Sequence, residues 1–223
     1  MNALTVPSDP LTDNVRKNGE IGLLAIDLER RIRLRINGTA AFGADHRLIV
    51  NTEQVYGNCP KYIQKRILPS EEPYARSEKS VLRGTTLRPA EQKWIATSDT
   101  FFIASANSQG KADASHRGGM PGFVSVVNEK VIVFPDYYGN SMFNTLGNIY
   151  DNPNTGLLFI DFLKGHTLQL SGRSEIIWDE QEIQQFPGAE RLVRFEVEHV
   201  LNVENSSLLS WKFLEFSPAN PSL

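Results

Sequence analysis

Three short segments hold the residues whose types and spacing could do chemistry. The first, Ala112 to Val126 (ADASHRGGMPGFVSV), places Ser115, His116 and Arg117 in a row, followed by Gly118-Gly119 and Pro121-Gly122. Arginine is a planar, permanently charged donor suited to phosphate, and bare glycine backbone lets a ligand come close. A plain β-turn carrying a solvated His-Arg pair would use the same residues, and on this segment alone both readings stand. The second, Pro135 to Asn148 (PDYYGNSMFNTLGN), puts Gly139, Asn140 and Ser141 where a strand hands over to a helix. Free amides and the positive end of the helix dipole favour an anion there; ordinary capping by Asn140 or Ser141 competes with that reading.

The third segment, Tyr56 to Arg66 (YGNCPKYIQKR), contains the sole cysteine, Cys59, readable as a reactive thiolate or as a small buried hydrophobe. Its Lys61, Lys65 and Arg66 form either a solvated face or a source of positive charge for a site. The alternating Arg31, Arg33 and Arg35 have the same two readings, a strand face of this kind being more often solvated or subunit-facing. No GxGxxG, P-loop, HExxH or CxxC pattern occurs, so Rossmann, P-loop and common zinc chemistry lack support and no metal is expected.

These segments need strands to position them. Ile21–Leu28, Glu29–Gly38, His46–Gly57, Thr100–Ala106, Lys111–His116, Pro121–Val127, Lys130–Tyr138, Thr155–Phe162, His166–Ile177 and Leu192–Val203 read as β, from apolar runs or strict alternation bounded by turn residues. Helices are expected over Ser8–Glu20, from Asn58 towards Arg66 with Pro60 in its first turn, over Arg88–Ser98, and within Gly139–Pro153. Residues 67–87 are mostly polar with no clear period and read as a surface linker. Trp94 and Trp211 could stack on a ligand, core packing or an interface being the competing use.

An internal repeat decides the organisation. Gly22–Gly38 (GLLAIDLERRIRLRING) aligns without a gap on Gly156–Gly172 (GLLFIDFLKGHTLQLSG), with seven identities in 17 positions. A polar helix precedes each copy, and a strand carrying Glu-x-Val follows it, at Glu53 and Glu198. Only the second copy has four strands upstream of its helix, so the expected order is the C-terminal half of one β-domain followed by a complete one.

With 223 residues and 22% charged side chains, the chain has ordinary globular composition, and its net charge of −3 argues against nucleic-acid or anionic-membrane partners. No apolar run is long enough to span a bilayer, and the N-terminus has no secretory pattern. With a single cysteine, the expectation is a cytoplasmic protein.

The segments DASHRGGMPGFV, FPDYYGNSMFNTLGNI, GLLFIDF and LQLSGRSEI resemble the FMN-binding split-barrel proteins related to pyridoxamine 5′-phosphate oxidase. GLLAIDLERRIRLRING with EQVYGNCPKYIQKR is similar to the N-terminal half of their tandem members. The resemblance implies a mainly β fold, a six-stranded antiparallel barrel preceded by a partial second barrel. It divides the chain into a partial barrel over 1–66, a linker over 67–87 and a complete domain over 88–223. It also implies FMN in the cleft between barrels. The phosphate side would be Ser115, His116, Arg117 and Gly118 with Pro135, Asp136, Asn140, Ser141 and Asn144. The partner segment would be Asn58, Cys59, Pro60 and Lys61. Members that oxidise pyridoxamine phosphate carry a basic Arg-Lys pair where this chain has Gly139-Asn140-Ser141, so that substrate is not carried over. The implied activity is an FMN-dependent oxidoreductase with a small-molecule redox substrate; the strands the first barrel lacks would leave apolar edges exposed, so a homodimer is expected. The alternatives are a non-catalytic flavin-binding or dimerisation module, or a binder of deazaflavin or haem.

Overall fold

A computed structural model describes residues 11–43, 47–69, 78–139 and 142–222. Helix α1 (Leu11–Lys17) leads into β1 (Glu20–Asp27), β2 (Ile32–Phe42) and β3 (Leu48–Asn58), which form an antiparallel sheet in that order. Two short strands follow, β4 (Lys65–Ile67) and β5 (Ser80–Gly84). Next come α2 (Pro89–Thr97), β6 (Thr100–Ala106), β7 (Ala112–Gly118), β8 (Ser125–Val126) and β9 (Val131–Tyr137). Helix α3 (Asn144–Asp151), β10 (Asn154–Asp161), β11 (His166–Ile177), α4 (Glu180–Ile183), β12 (Ala189–Glu204) and β13 (Lys212–Glu215) complete the set.

The larger antiparallel sheet runs β7-β6-β10-β11-β12-β9-β8, with β5 also paired to β12. It is the split barrel: six long strands, with the short β5 and β8 added. Its apolar faces enclose Phe101, Phe134, Phe159, Phe195, Leu168 and Leu170, none more than 1% exposed. Truncating one of these phenylalanines to alanine would cost about 3–5 kcal/mol, because so closed a site refills poorly. Helix α2 starts where Pro89 supplies a preset φ and the Glu91 carboxylate accepts the Arg88 amide at 2.9 Å.

The repeat is visible strand for strand. Gly22 stands opposite Asn37 and Asp27 opposite Ile32, just as Gly156 stands opposite Ser171 and Asp161 opposite His166. Both hairpins turn on an aspartate that accepts a backbone amide three residues on, Arg30 at 2.9 Å and Lys164 at 2.8 Å. Both then pass through left-handed backbone, at Arg31 (φ 55) and Gly165 (φ 67). Each copy ends in a β-bulge, at Asn37/Gly38 and Ser171/Gly172. A Cβ on Gly38 would strike the Asn51 carbonyl, and one on Gly172 the Glu196 carbonyl, so only glycine fits at the repeat's end.

Four local expectations are corrected. Asn58–Arg66 is not a helix: Pro60-Lys61-Tyr62 turns, Tyr62 takes a left-handed φ of 66, and β4 follows. The segment 67–87 is not wholly a linker, since Ser80–Gly84 extends along β12 from Glu204 to Val200. In Pro121–Val127 only Ser125–Val126 is strand. The arginine face is not solvated: Arg33, Arg35 and Asn37 are at most 9% exposed, while Ile32 on the other face is 58% exposed. That polar face packs on β7 of the larger sheet, where Gly22 of β1 also comes against the Asp113 backbone. Arg31 leaves the ladder at the hairpin turn and donates to the Ile63 and Phe216 carbonyls.

Candidate functional site

Where β2 lies against β7, polar side chains meet in a dry layer. Arg35 donates from Nη1 to both oxygens of Asp113, at 3.3 and 3.1 Å, and from Nη2 to Ser115 Oγ. Asp113 also accepts from Asn37 Nδ2 at 3.3 Å, Tyr56 OH at 3.4 Å and Thr145 Oγ1 at 3.2 Å. The two charges of this buried pair cancel and Asp113 is saturated with donors, which makes a dry ion pair tolerable, although Arg35 Nε has no partner.

Arg33 differs. Its Nη1 lies 2.9 Å from His116 Nδ1, and it also hydrogen-bonds Cys59. Among the described residues no carboxylate pairs with it. Burial, the largest influence, lowers its pKa from 12.5 to about 10. A guanidinium can only donate, so His116 Nδ1 accepts and the imidazole proton sits on Nε2. Burial first, then Arg33 and Arg117, push the His116 pKa well below 6.5, so the ring is neutral. Both Arg33 Nε and His116 Nε2 are buried without a partner.

Beside them lies a cleft enclosing about 210 Å³. Its walls are Arg33, Arg35, His116, Arg117 and Gly118 from the β2–β7 layer, and Asn58, Cys59 and Tyr62 from the turn after β3. Opposite stand Pro135, Asp136 and Tyr137 of β9, then Tyr138, Gly139, Met142 and Phe143, with Glu190 and Arg191 of β12. Arg117 donates from Nη1 to Ser115 Oγ at 2.7 Å and lies 3.7 Å from Asp136. Arg191 reaches the same carboxylate at 3.5 Å and stacks over Phe143 and Trp178 at 5.2 and 5.7 Å.

The turn after β3 closes the cleft. The Tyr62 and Tyr137 rings meet at 5.2 Å, and Tyr62 OH donates to the Tyr138 carbonyl at 2.8 Å. Burial raises the pKa of both phenols, that of Tyr137 to about 12, so both keep their protons at neutral pH. A Cβ on Gly118 would collide with the Tyr62 carbonyl, so the glycine permits the closure. Four arginines against Asp136 and Glu190 make an anion-seeking wall. The enclosed volume is below the roughly 300–1,000 Å³ of pockets that take a whole ligand, which suits the anionic end of a larger molecule.

Of the residues singled out from sequence, His116, Arg117, Gly118, Pro135, Asp136, Asn58 and Cys59 line the cleft. Ser115 does not: it is 0% exposed and holds Arg35 and Arg117 from behind. Lys61 sits outside the lining, its Nζ 4.6 Å above the Tyr138 ring, and Pro60 is exposed on the same turn. Asn144 is elsewhere, donating to Tyr56 OH at 2.8 Å in a second polar hollow around Asp113. Asn140 and Ser141 lie outside the described residues. Tyr62, Tyr137, Tyr138 and Phe143 escaped the sequence reading although they lie within two of the quoted segments, where an aromatic carries no signal separating cleft from core. Glu190 and Arg191 arrive from β12 with no motif of their own. A signal for Arg33 existed in the repeat: the second copy has Thr167 at that position and Gln169 at that of Arg35.

The fold and cleft define a split-barrel protein with an arginine-lined cleft between two sheets. Residues 87–215 match the family described as pyridoxamine 5′-phosphate oxidase, and the chain belongs to that family. No curated protein matches it. Among solved structures, a pyridoxamine 5′-phosphate oxidase-type protein from Lactobacillus delbrueckii is 15% identical over 52% of this chain and 94% of its own, with a TM-score of 0.43. An FMN-binding protein from Syntrophomonas wolfei is 8% identical over 50% and 81%, with a TM-score of 0.37. A FAD-binding protein from Mesorhizobium loti is 15% identical over 56% and 99%, with a TM-score of 0.39. No described helix is long and apolar enough to cross a membrane.

Proposed function

We propose that the chain binds FMN by its phosphate in the arginine-lined cleft and acts as an FMN-dependent oxidoreductase on a small-molecule substrate. One observation carries this reading: Arg33 is a buried cation that no carboxylate among the described residues neutralises, in the wall of a cleft. Such a charge is costly unless an anion answers it. A phosphate ester fits the donor set, since Arg33, Arg117 and the Nε2–H of His116 offer only donors.

Arg33 and Arg117 would bind the phosphate, and His116, being neutral, would add a hydrogen bond without a charge. Asp113 and Ser115 orient Arg35, and Ser115 also orients Arg117. Asp136 on the far wall bridges Arg117 across the cleft and Arg191 beside it, fixing both guanidinium groups. The protonated Tyr62 and Tyr137 give a neutral aromatic wall that excludes water. Bound FMN supplies hydride and single-electron chemistry, so the chain need not contribute an acid or base of its own.

The test is to load the purified protein with FMN and mix it anaerobically with NADH or NADPH. Bleaching of the visible flavin band at a steady turnover rate supports the oxidoreductase. A flavin that binds yet stays oxidised with both donors points to a non-catalytic flavin-holding protein.

A further inference from the structure

A second pocket shares no lining residue with the arginine cleft. It encloses about 450 Å³, within the range of pockets that take a whole small molecule, about 300–1,000 Å³. Four aromatic side chains wall it: Trp94 of α2, Phe162, Trp211, and Phe213 of β13. The wall is fixed in place. Trp211 donates its amide to the Phe162 carbonyl at 2.7 Å, Ser210 Oγ donates to the Leu163 carbonyl at 2.8 Å, and the Phe162 and Trp211 rings meet edge-on at 5.9 Å.

Two polar side chains in this wall are buried and incompletely bonded. Arg66 of β4 is 7% exposed and stacks over Phe162 at 4.2 Å and Phe213 at 5.6 Å. Its Nη2 reaches both oxygens of Asp99, at 2.6 and 2.7 Å, leaving Nη1 buried without a partner. Thr100, 2% exposed, has a hydroxyl that also lacks a partner. Packing alone does not favour either vacancy, because a buried donor without an acceptor forfeits its hydration for nothing. The formal charges in the lining cancel, Arg66 and Lys212 against Asp99 and Asp161. An anion or cation therefore gains no net attraction, whereas a neutral acceptor would answer both vacancies.

We propose that this pocket binds a neutral, planar aromatic compound bearing a carbonyl oxygen. The ring packs among Trp94, Phe162, Trp211 and Phe213, and Arg66 Nη1 and Thr100 Oγ1 donate to the carbonyl. Aromatic walls with a few convergent polar groups are the usual make-up of a small-molecule site. The hydrogen-bonding pair supplies specificity, because a site built to bond an oxygen discriminates sharply against the analogue that lacks it.

The probes are acetophenone and its carbonyl-free counterpart ethylbenzene, titrated into the whole protein with and without saturating FMN. Two of the chain's three tryptophans line the pocket, so their emission reports occupancy. The expected result is saturable quenching by acetophenone, unaffected by FMN and retained in Trp178→Phe. Ethylbenzene should bind at least about tenfold more weakly by ligand-observed NMR, the loss of one buried hydrogen bond at ~1.4 kcal/mol per tenfold. Thr100→Val should weaken acetophenone severalfold and leave ethylbenzene unchanged. Unsaturable quenching, equal affinity for the two probes, or displacement of acetophenone by FMN would each overturn the proposal, and the probe comparison needs no variant to fold.

Discussion

Replacing Arg33 with methionine should stabilise the ligand-free protein and weaken FMN binding at the same time. Burial lowers the guanidinium pKa from 12.5 to about 10, which at ~1.36 kcal/mol per unit is a folding cost of about 3 kcal/mol. The folded pKa is the lower one, so the cost applies in full at every pH below about 10 and lifts only above it. Methionine keeps the apolar stem without the charge. Against the gain, His116 Nδ1 loses its donor, which costs about 1–2 kcal/mol. The net is roughly 1–2 kcal/mol in favour of the variant, or about 2–8 °C in melting temperature for a chain of this size. A charge-assisted hydrogen bond to phosphate is worth about 1.5–3 kcal/mol, so FMN affinity should fall about 10- to 150-fold. Thermal unfolding of the ligand-free protein and a flavin-fluorescence titration measure the two halves. A variant that is less stable and binds FMN like the wild type would show that Arg33 is a structural strut, and the reasoning would fail.

Three further outcomes follow from the same geometry. His116 stays neutral in the fold while an unfolded histidine gains a proton below pH 6.5, so stability should fall with pH there, by up to about 2 kcal/mol between pH 6.5 and 5. Urea midpoints at pH 7 and pH 5 should show His116→Asn losing less than the wild type. Cys59 is partly exposed on the cleft wall, so FMN at about ten times its Kd should slow alkylation by iodoacetamide roughly tenfold. An unchanged rate would place the ligand elsewhere. Gly172→Ala drives a Cβ into the Glu196 carbonyl, and the strand must move to accept it. A loss of about 3 kcal/mol or more is expected in denaturant unfolding, and a smaller loss would mean that the bulge is soft.

What the sequence made legible was periodic or local. The hairpin repeat could be read because its turn aspartates, apolar alternation and terminal glycines all serve backbone geometry that recurs unchanged at Asp27 and Asp161 and at Gly38 and Gly172. Alternation in β2 separated arginines from isoleucines correctly but did not say which side meets another sheet, so the depth of Arg33 and Arg35 stayed hidden. In Asn58–Arg66, Pro60 suggested a helix start, whereas the left-handed Tyr62 and the pairing of β4 with β13 are decided by residues far along the chain. The strand at Ser80–Gly84 shows no period of its own, being an edge strand exposed along most of its length. Arg117 and Asp136 were found because each sits in a local motif. Glu190 and Arg191 lie at the start of a long strand whose pattern reports barrel packing, not the cleft.

The central claim is that the cleft holds a flavin by its phosphate, and comparing FMN with riboflavin tests it most directly. Equilibrium titration of the purified protein by flavin-fluorescence quenching gives both affinities with the ring system held constant. The account predicts that FMN binds and that riboflavin, lacking the phosphate, binds at least about 100-fold more weakly, from two lost charge-assisted hydrogen bonds worth about 3 kcal/mol together. Equal affinity for the two flavins, or no binding of FMN, would contradict it.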